Sequence, residues 1–178
     1  RERSWFKMIK LKKENQESHT ISIKLSNESG ALARVIGLFS GRGYNIESLN
    51  VAEIDEDSHK SRITIVTNGS LMTINQIKHQ LDRLVPVDSV EDLTTDGPSI
   101  EREMALIKVE CDGHNREEVI RLSETYRAKI VDTTKDSFVF ELTGAIDKIN
   151  SFIELMRPLG LADISRTGLA AISRGKSK

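Results

Sequence analysis

His19-Thr20-Ile21-Ser22-Ile23-Lys24-Leu25-Ser26 runs through Asn27-Glu28-Ser29-Gly30 into Ala31-Leu32-Ala33-Arg34-Val35-Ile36-Gly37-Leu38-Phe39, and the hydrophobic period changes on the way. Ile21, Ile23 and Leu25 alternate with Ser22, Lys24 and Ser26, which predicts a half-buried strand. Asn27 to Gly30 is small and polar, the composition of a turn that feeds a helix. Leu32, Val35, Ile36 and Phe39 then recur at helical spacing, and Gly41-Arg42-Gly43 stops the helix. A strand, a turn and a helix in this order make the first half of a βαβ unit.

The rest of that unit follows. Ile46 to Ile54 and Arg62 to Thr67 read as strands around the polar loop Asp55-Glu56-Asp57-Ser58. Thr73 and Gln76 have the spacing of a capping box, and Ile74, Ile77, Leu81 and Leu84 form an apolar helix face that ends at Pro86. A strand from Val87 to Leu93 completes the order β-α-β-β-α-β, the split βαβ arrangement of a ferredoxin-like sandwich. That topology puts both helices on one sheet face, leaves the other free, and ends in an unpaired edge that favours association of two copies.

The order then repeats. Ala105 to Cys111 reads as a strand, and Asn115 as the cap of a helix with Val119, Leu122 and Tyr126 inward. Lys129 to Thr133 and Phe138 to Leu142 are strands, and Ile146, Ile149, Ile153 and Met156 mark a helix ended by Pro158 and Gly160. A last strand from Ile164 to Ile172 is interrupted at Gly168. The expected class is α+β, with two tandem ferredoxin-like units. The division is an extension over residues 1–18, a first domain over 19–95, a linker over 96–103 around Asp96-Gly97-Pro98-Ser99, and a second domain over 104–178.

Composition narrows the function. The chain has 178 residues, with 26 Lys+Arg against 27 Asp+Glu, so it lacks the basic excess of a protein that grips phosphate backbones. Aromatic residues make up 4%, too few to stack bases. Ile21, Ile23, Ile63 and Ile65 stand where an RNA-binding sheet of this topology would display its rings. No apolar run reaches the roughly 20 residues that span a bilayer. The single cysteine, Cys111, has no partner for an internal disulfide and no nearby base to activate it. His19, His59, His79 and His114 lack zinc-ligand spacing and are expected on the solvated surface. Glu117-Glu118, and Glu101 with Glu103, are likewise expected on solvated faces. No constellation of an enzyme is present.

Residues 1–18 carry six basic side chains and three acidic ones, with Trp5, Phe6 and Ile9 able to line one face of a short helix. A surface-binding or targeting segment and a loosely packed extension both fit this pattern, and without an h-region followed by a small-residue cleavage site secretion is not expected.

The chemistry centres on Asn27 to Leu32. Gly30 and Ala31 stand where the first helix begins, so their N–H groups have no acceptor inside it. With the positive helix end they form an anion site suited to a carboxylate. Glycine at position 30 leaves the approach open, and Asn27 offers both a donor and an acceptor. An ordinary helix cap with a glycine in the turn explains the same residues.

Asn27-Glu28-Ser29-Gly30-Ala31-Leu32-Ala33-Arg34-Val35, followed by Gly41-Arg42-Gly43-Tyr44-Asn45-Ile46-Glu47-Ser48-Leu49, resembles the regulatory subunits of acetolactate synthase. Glu101-Arg102-Glu103-Met104-Ala105-Leu106-Ile107-Lys108 and Ser165-Arg166-Thr167-Gly168 resemble the second domain of that family. The resemblance covers nearly everything from residue 19 onward. It implies that the first domain is an ACT domain, the amino-acid-sensing version of the ferredoxin-like fold. It further implies a non-catalytic, cytoplasmic homodimer that activates a catalytic subunit and makes it inhibitable by valine in branched-chain amino acid synthesis. Thiamine diphosphate, Mg and FAD are expected in that partner, with no cofactor or metal in this chain.

By the same resemblance, valine sits between the ACT domains of two chains. Its carboxylate meets the N–H groups around Gly30, Ala31 and Leu32, with Asn27 helping, while Asn45 and Ile46 of the neighbouring chain hold the ammonium. Tyr44 is expected to pack. The second domain's loop Cys111-Asp112-Gly113-His114-Asn115 lacks the pattern and is given no valine site. A free-standing ACT-type sensor that controls another enzyme is the alternative.

Overall fold

A computed structural model of the chain describes residues 17–175. The extension read over 1–18 therefore lies outside the described residues up to 16, and Glu17 and Ser18 already belong to the first strand. The described chain divides into two compact units, one of residues 17–100 with 171–175 and one of Glu101–Ala170.

The first unit runs β1 (Glu17–Ser26), α1 (Ala31–Ser40), β2 (Ser48–Asp55), β3 (Lys60–Gly69), α2 (Leu71–Leu81) and β4 (Val87–Asp92). Its sheet has the order β2-β3-β1-β4, and each neighbouring pair is antiparallel. Alternation decides the inner face: Ile21, Ile23 and Leu25 of β1 lie with Ile63 and Ile65 of β3. The helices close over them with Val35 and Phe39 of α1 and Ile74, Ile77 and Leu81 of α2, all fully buried. Each such side chain contributes roughly 1.5–3 kcal/mol relative to exposure. The opposite face, expected to be free, is buried at its centre, at Thr20, Ser22, Thr64 and Val66. β2 forms one edge and exposes Leu49, Val51 and Ile54.

The second unit repeats this plan with β5 (Ser99–Glu110), α3 (Gly113–Tyr126), β6 (Lys129–Thr133), β7 (Ser137–Gly144), α4 (Ile146–Met156) and β8 (Leu161–Arg166). The sheet order is β6-β7-β5-β8, the same permutation as in the first unit. Ala105, Ile107, Val109, Phe138, Phe140 and Leu142 make the sheet side of the core, facing Val119, Ile149, Phe152 and Met156. Phe140 and Phe152 meet edge to face at 5.8 Å between centroids. Both units are ferredoxin-like, as the element order predicts.

Several boundaries differ from the sequence reading. α2 starts two residues before Thr73 and is capped by Ser70, whose hydroxyl accepts the Thr73 N–H at 3.3 Å from an extended backbone. Asn115 lies inside the first turn of α3. Residues 99–103, read as linker, are strand, because β5 begins at Ser99. The final strand breaks around Gly168, at φ 78°, into β8 and β9 (Ala170–Ser173), which also pairs with β5.

Two acid–base pairs overturn the expectation of solvated side chains. His19 is 1% exposed, with Nδ1 2.8 Å from Asp92 Oδ2. It occupies an odd position of β1, the side facing the helices, where only a partnered ring is tolerated. Glu103 is 5% exposed and takes a bidentate contact from Arg166, Nε at 2.9 Å and Nη2 at 2.6 Å.

Candidate functional site

β1 delivers the chain to its turn under tight control. The Ser26 N–H donates to the Pro86 carbonyl at 2.8 Å and the Asn27 N–H to the His59 carbonyl at 2.7 Å. The β1–α1 turn is thereby fastened to the loops before β3 and β4. Lys60 Nζ, at the same end, is already engaged by Ser26 Oγ and by Asp88. No hydrogen bond of the turn is spent on a side-chain cap. Gly30 is the N-cap residue, with φ 82°, and neither Asn27 nor Ser29 caps the helix.

The amide accounting differs in one place from the sequence reading. Ala31, expected to present a free N–H, donates it to the Glu28 carbonyl at 3.1 Å and buries its methyl in the core. A tight turn into the helix causes this, since residue 28 curls back over the first helical residue. Among the described residues, the N–H groups of Leu32 and Ala33 meet no acceptor. Two donors at the positive end of α1 therefore face outward past a residue without a side chain. A Cβ placed on Gly30 would meet nothing within 4 Å, so the approach is open. Asn27, Gly30 and Leu32 are all exposed.

The other residues assigned to the site lie at the far end of the same helix. Gly43, at φ 69°, turns the chain out of α1, and the Tyr44 N–H returns to the Phe39 carbonyl at 3.0 Å. Tyr44 packs edge to face on Phe39, with centroids 6.3 Å apart. Asn45 and Ile46 are loop residues, because β2 starts only at Ser48. The Glu47 N–H joins the Val66 carbonyl at 2.8 Å, and the Glu47 carboxylate receives the Asn68 amide. One support here escaped the sequence reading. The Thr67 hydroxyl, on a residue with no exposed surface, donates to the Asn45 carbonyl at 2.6 Å. Its signal in the sequence is a hydroxyl in the inward series Ile63, Ile65, Thr67. One protomer thus brings Asn27, Gly30, Ala31 and Leu32 together at one end of α1, and Asn45 with Ile46 at the other.

Cys111 is buried, and desolvation pushes its thiol pKa up, away from nucleophile behaviour. Among the described residues no cluster of His, Cys, Asp or Glu has the make-up of a metal site, and no helix is long and apolar enough to cross a membrane.

Two family models match this chain: the AHAS small subunit-like ACT domain over residues 21–88, and the small subunit of acetolactate synthase over residues 102–175. A probable acetolactate synthase small subunit of Archaeoglobus fulgidus is 43% identical over 160 residues, covering 90% of this chain and 99% of its own length. The chain belongs to the acetolactate synthase small-subunit family. The Salmonella typhimurium isozyme 3 small subunit is 45% identical over 156 residues, 87% of this chain and 94% of that one. The crystal structure of the small subunit from Thermotoga maritima superimposes with a TM-score of 0.80 at 36% identity, covering 90% of this chain and 99% of that chain. Within the family framework the first unit is the ACT domain. Both ends of α1, with every residue assigned to the site, fall inside the matched segment 21–88.

Proposed function

We propose that this chain is the non-catalytic regulatory subunit of an acetolactate synthase, and that it activates the catalytic subunit and makes it inhibitable by valine. The observation that carries the reading is the start of α1, where a glycine cap without a side-chain partner leaves the Leu32 and Ala33 amides open to a carboxylate. Thiamine diphosphate, Mg and FAD belong to the partner, which performs the reaction.

The effector site is completed by a second copy of this chain. α1 is ten residues long, about 15 Å, so its two ends cannot reach one amino acid within a protomer. An antiparallel two-fold pairing of β2 with the β2 of a second chain turns one α1 against the other. It sets the Asn27–Leu32 end of one protomer beside the Asn45–Ile46 end of its partner. Leu49 and Val51 support this axis, because their register opposite Ile65 and Ile63 points them to the helix side while they remain exposed. A zwitterion held between two protomers then biases their arrangement, provided it binds one arrangement more tightly than the other. A coupling of about 1–3 kcal/mol suffices for ordinary control.

The test is reconstitution. Catalytic subunit mixed with this chain should be stimulated, and valine should reverse part of the rate. A mixture with no stimulation by the chain and no response to valine would remove the reading.

A further inference from the structure

We propose that Thr67 is a positioning residue of the effector site, one that aims the Asn45–Ile46 peptide so that its N–H, and not its carbonyl, faces the ligand. The inference rests on the reading of this ACT domain as a valine sensor and sharpens what its second arm does.

The argument starts from the planarity of one peptide bond. In a trans peptide the carbonyl of one residue and the N–H of the next point in opposite directions. The Asn45 carbonyl is turned inward, where it accepts the Thr67 hydroxyl at 2.6 Å. The Ile46 N–H therefore points away from Thr67. Among the described residues that N–H has no acceptor. Tyr44 and Glu47 fix the backbone on either side through the Phe39 and Val66 carbonyls, so the peptide between them has little freedom to flip. Thr67 itself cannot drift, since it sits in the β1–β3 ladder opposite His19 and is completely buried.

The consequence is chemical. An inward carbonyl is unavailable to an ammonium, and an outward N–H suits a carboxylate. The arm supplied by the second protomer thus joins the Leu32 and Ala33 amides in holding the effector's carboxylate. The ammonium falls to side-chain oxygens, those of Asn27 and Asn45. Expected ligands are α-amino acids with a free carboxylate.

The experiment uses the full chain as a dimer. Thr67→Val keeps the side-chain volume and removes the donor, and Thr67→Ser keeps the donor. Calorimetry with valine should show Thr67→Val weakened by up to about tenfold, with Thr67→Ser near the parent. Dimer mass, which a merely structural role would move, should change little in either variant, and melting should drop only by the few degrees that one lost hydrogen bond costs in Thr67→Val. Amide hydrogen exchange on the parent protein gives a second reading that needs no variant: saturating valine should slow exchange at Ile46. Parent-like binding by Thr67→Val together with unchanged exchange at Ile46 overturns the role of Thr67. A parent protein that binds no valine at all overturns the sensor reading itself, so the two failures are distinguishable.

Discussion

Asn27 and Asn45 flank opposite ends of one helix, α1, which spans Ala31–Ser40. Two residues assigned to the same small ligand are thus held about 15 Å apart by a rigid rod. Under the proposed function, that separation makes effector binding depend on a second copy of the chain. Affinity for the effector must then track assembly, whichever amino acid is bound.

Val51→Asp tests that link. Val51 is 41% exposed on edge strand β2, on the side that faces the helices. In the proposed pairing of β2 with the β2 of a second copy, a carboxylate there meets its own counterpart across the two-fold axis and must be desolvated with no cation opposite. Sedimentation should show the dimer weakened, and calorimetry should show valine binding lost in parallel. A dimer of parental strength locates the interface elsewhere.

Gly30→Asp tests the amide cradle. The added Cβ has nothing within 4 Å, so the chain has room for it, and only φ of 82° strains the backbone. That strain is about 1 kcal/mol, less for Asp than for most residues. The charge, in contrast, lies in the path of the incoming carboxylate. Valine affinity should fall by more than about tenfold, with melting lowered only by the few degrees that this strain costs. Gly30→Ala, which lacks the charge, should fall less. Equal losses in the two variants would assign the defect to backbone strain instead.

What the sequence discloses and what it hides divide along chain separation. The period of two in Ile21, Ile23, Leu25 and of nearly four in Val35, Phe39 follow from local geometry, so both units are readable without coordinates. The glycine at the start of α1 is equally local. His19, Glu103 and Thr67 are not, because their environment is set by Asp92, Arg166 and Asn45, at sequence distances of 73, 63 and 22 residues. A polar residue in an inward position is visible in the string. Its partner is not. The partner of the Ala31 amide is hidden for a related reason, since the curl of residue 28 over the helix start depends on φ at Gly30, not on composition.

Asp92→Ala should be among the most destabilising single changes in the first unit. Its carboxylate accepts from His19 Nδ1 at 2.8 Å, the Thr94 N–H at 3.0 Å and the Thr95 hydroxyl at 2.9 Å. His19 Nε2 already lacks a partner, so removing the carboxylate leaves the whole ring unsatisfied in the core. The expected cost is about 3 kcal/mol or more, read as a lower denaturation midpoint. A loss under about 1 kcal/mol, the size of an exposed ion pair, would mean that the pair is not buried in solution.

Asp96 supplies a pH dependence. Partial burial pushes its carboxyl pKa up, but hydrogen bonds from Lys78 Nζ and the Asp92 N–H outweigh this and hold it below the ordinary aspartate value. A folded-state pKa below the unfolded one gives stability that is present above the ordinary aspartate range and disappears as pH falls through the folded value. Asp96→Asn should therefore melt earlier than the parent at neutral pH, by less than about 1 kcal/mol because the pair is partly solvated. The two curves should converge in acid. A gap that persists in acid would point to lost hydrogen bonds rather than lost charge.

Gly160→Ala separates two reasons for a glycine at the end of a helix. Gly160, at φ 107°, follows α4 and its terminal 3-10 turn, as expected of a helix stop. A stop alone costs an alanine only its backbone strain, about 1–2 kcal/mol. Here a Cβ would also lie 1.9 Å from the Glu110 carbonyl oxygen, backbone against backbone, while the Glu110 N–H donates to the Gly160 carbonyl at 2.8 Å. No flexible side chain can move aside, so the end of β5 and the turn before β8 must separate. The expected destabilisation is roughly 3–5 kcal/mol. Gly43→Ala is the matched control, with φ of 69° and nothing within 4 Å of the added carbon. Melting curves should place Gly160→Ala well below Gly43→Ala. If the two coincide, the close approach of Glu110 is absent and Gly160 serves only to end the helix.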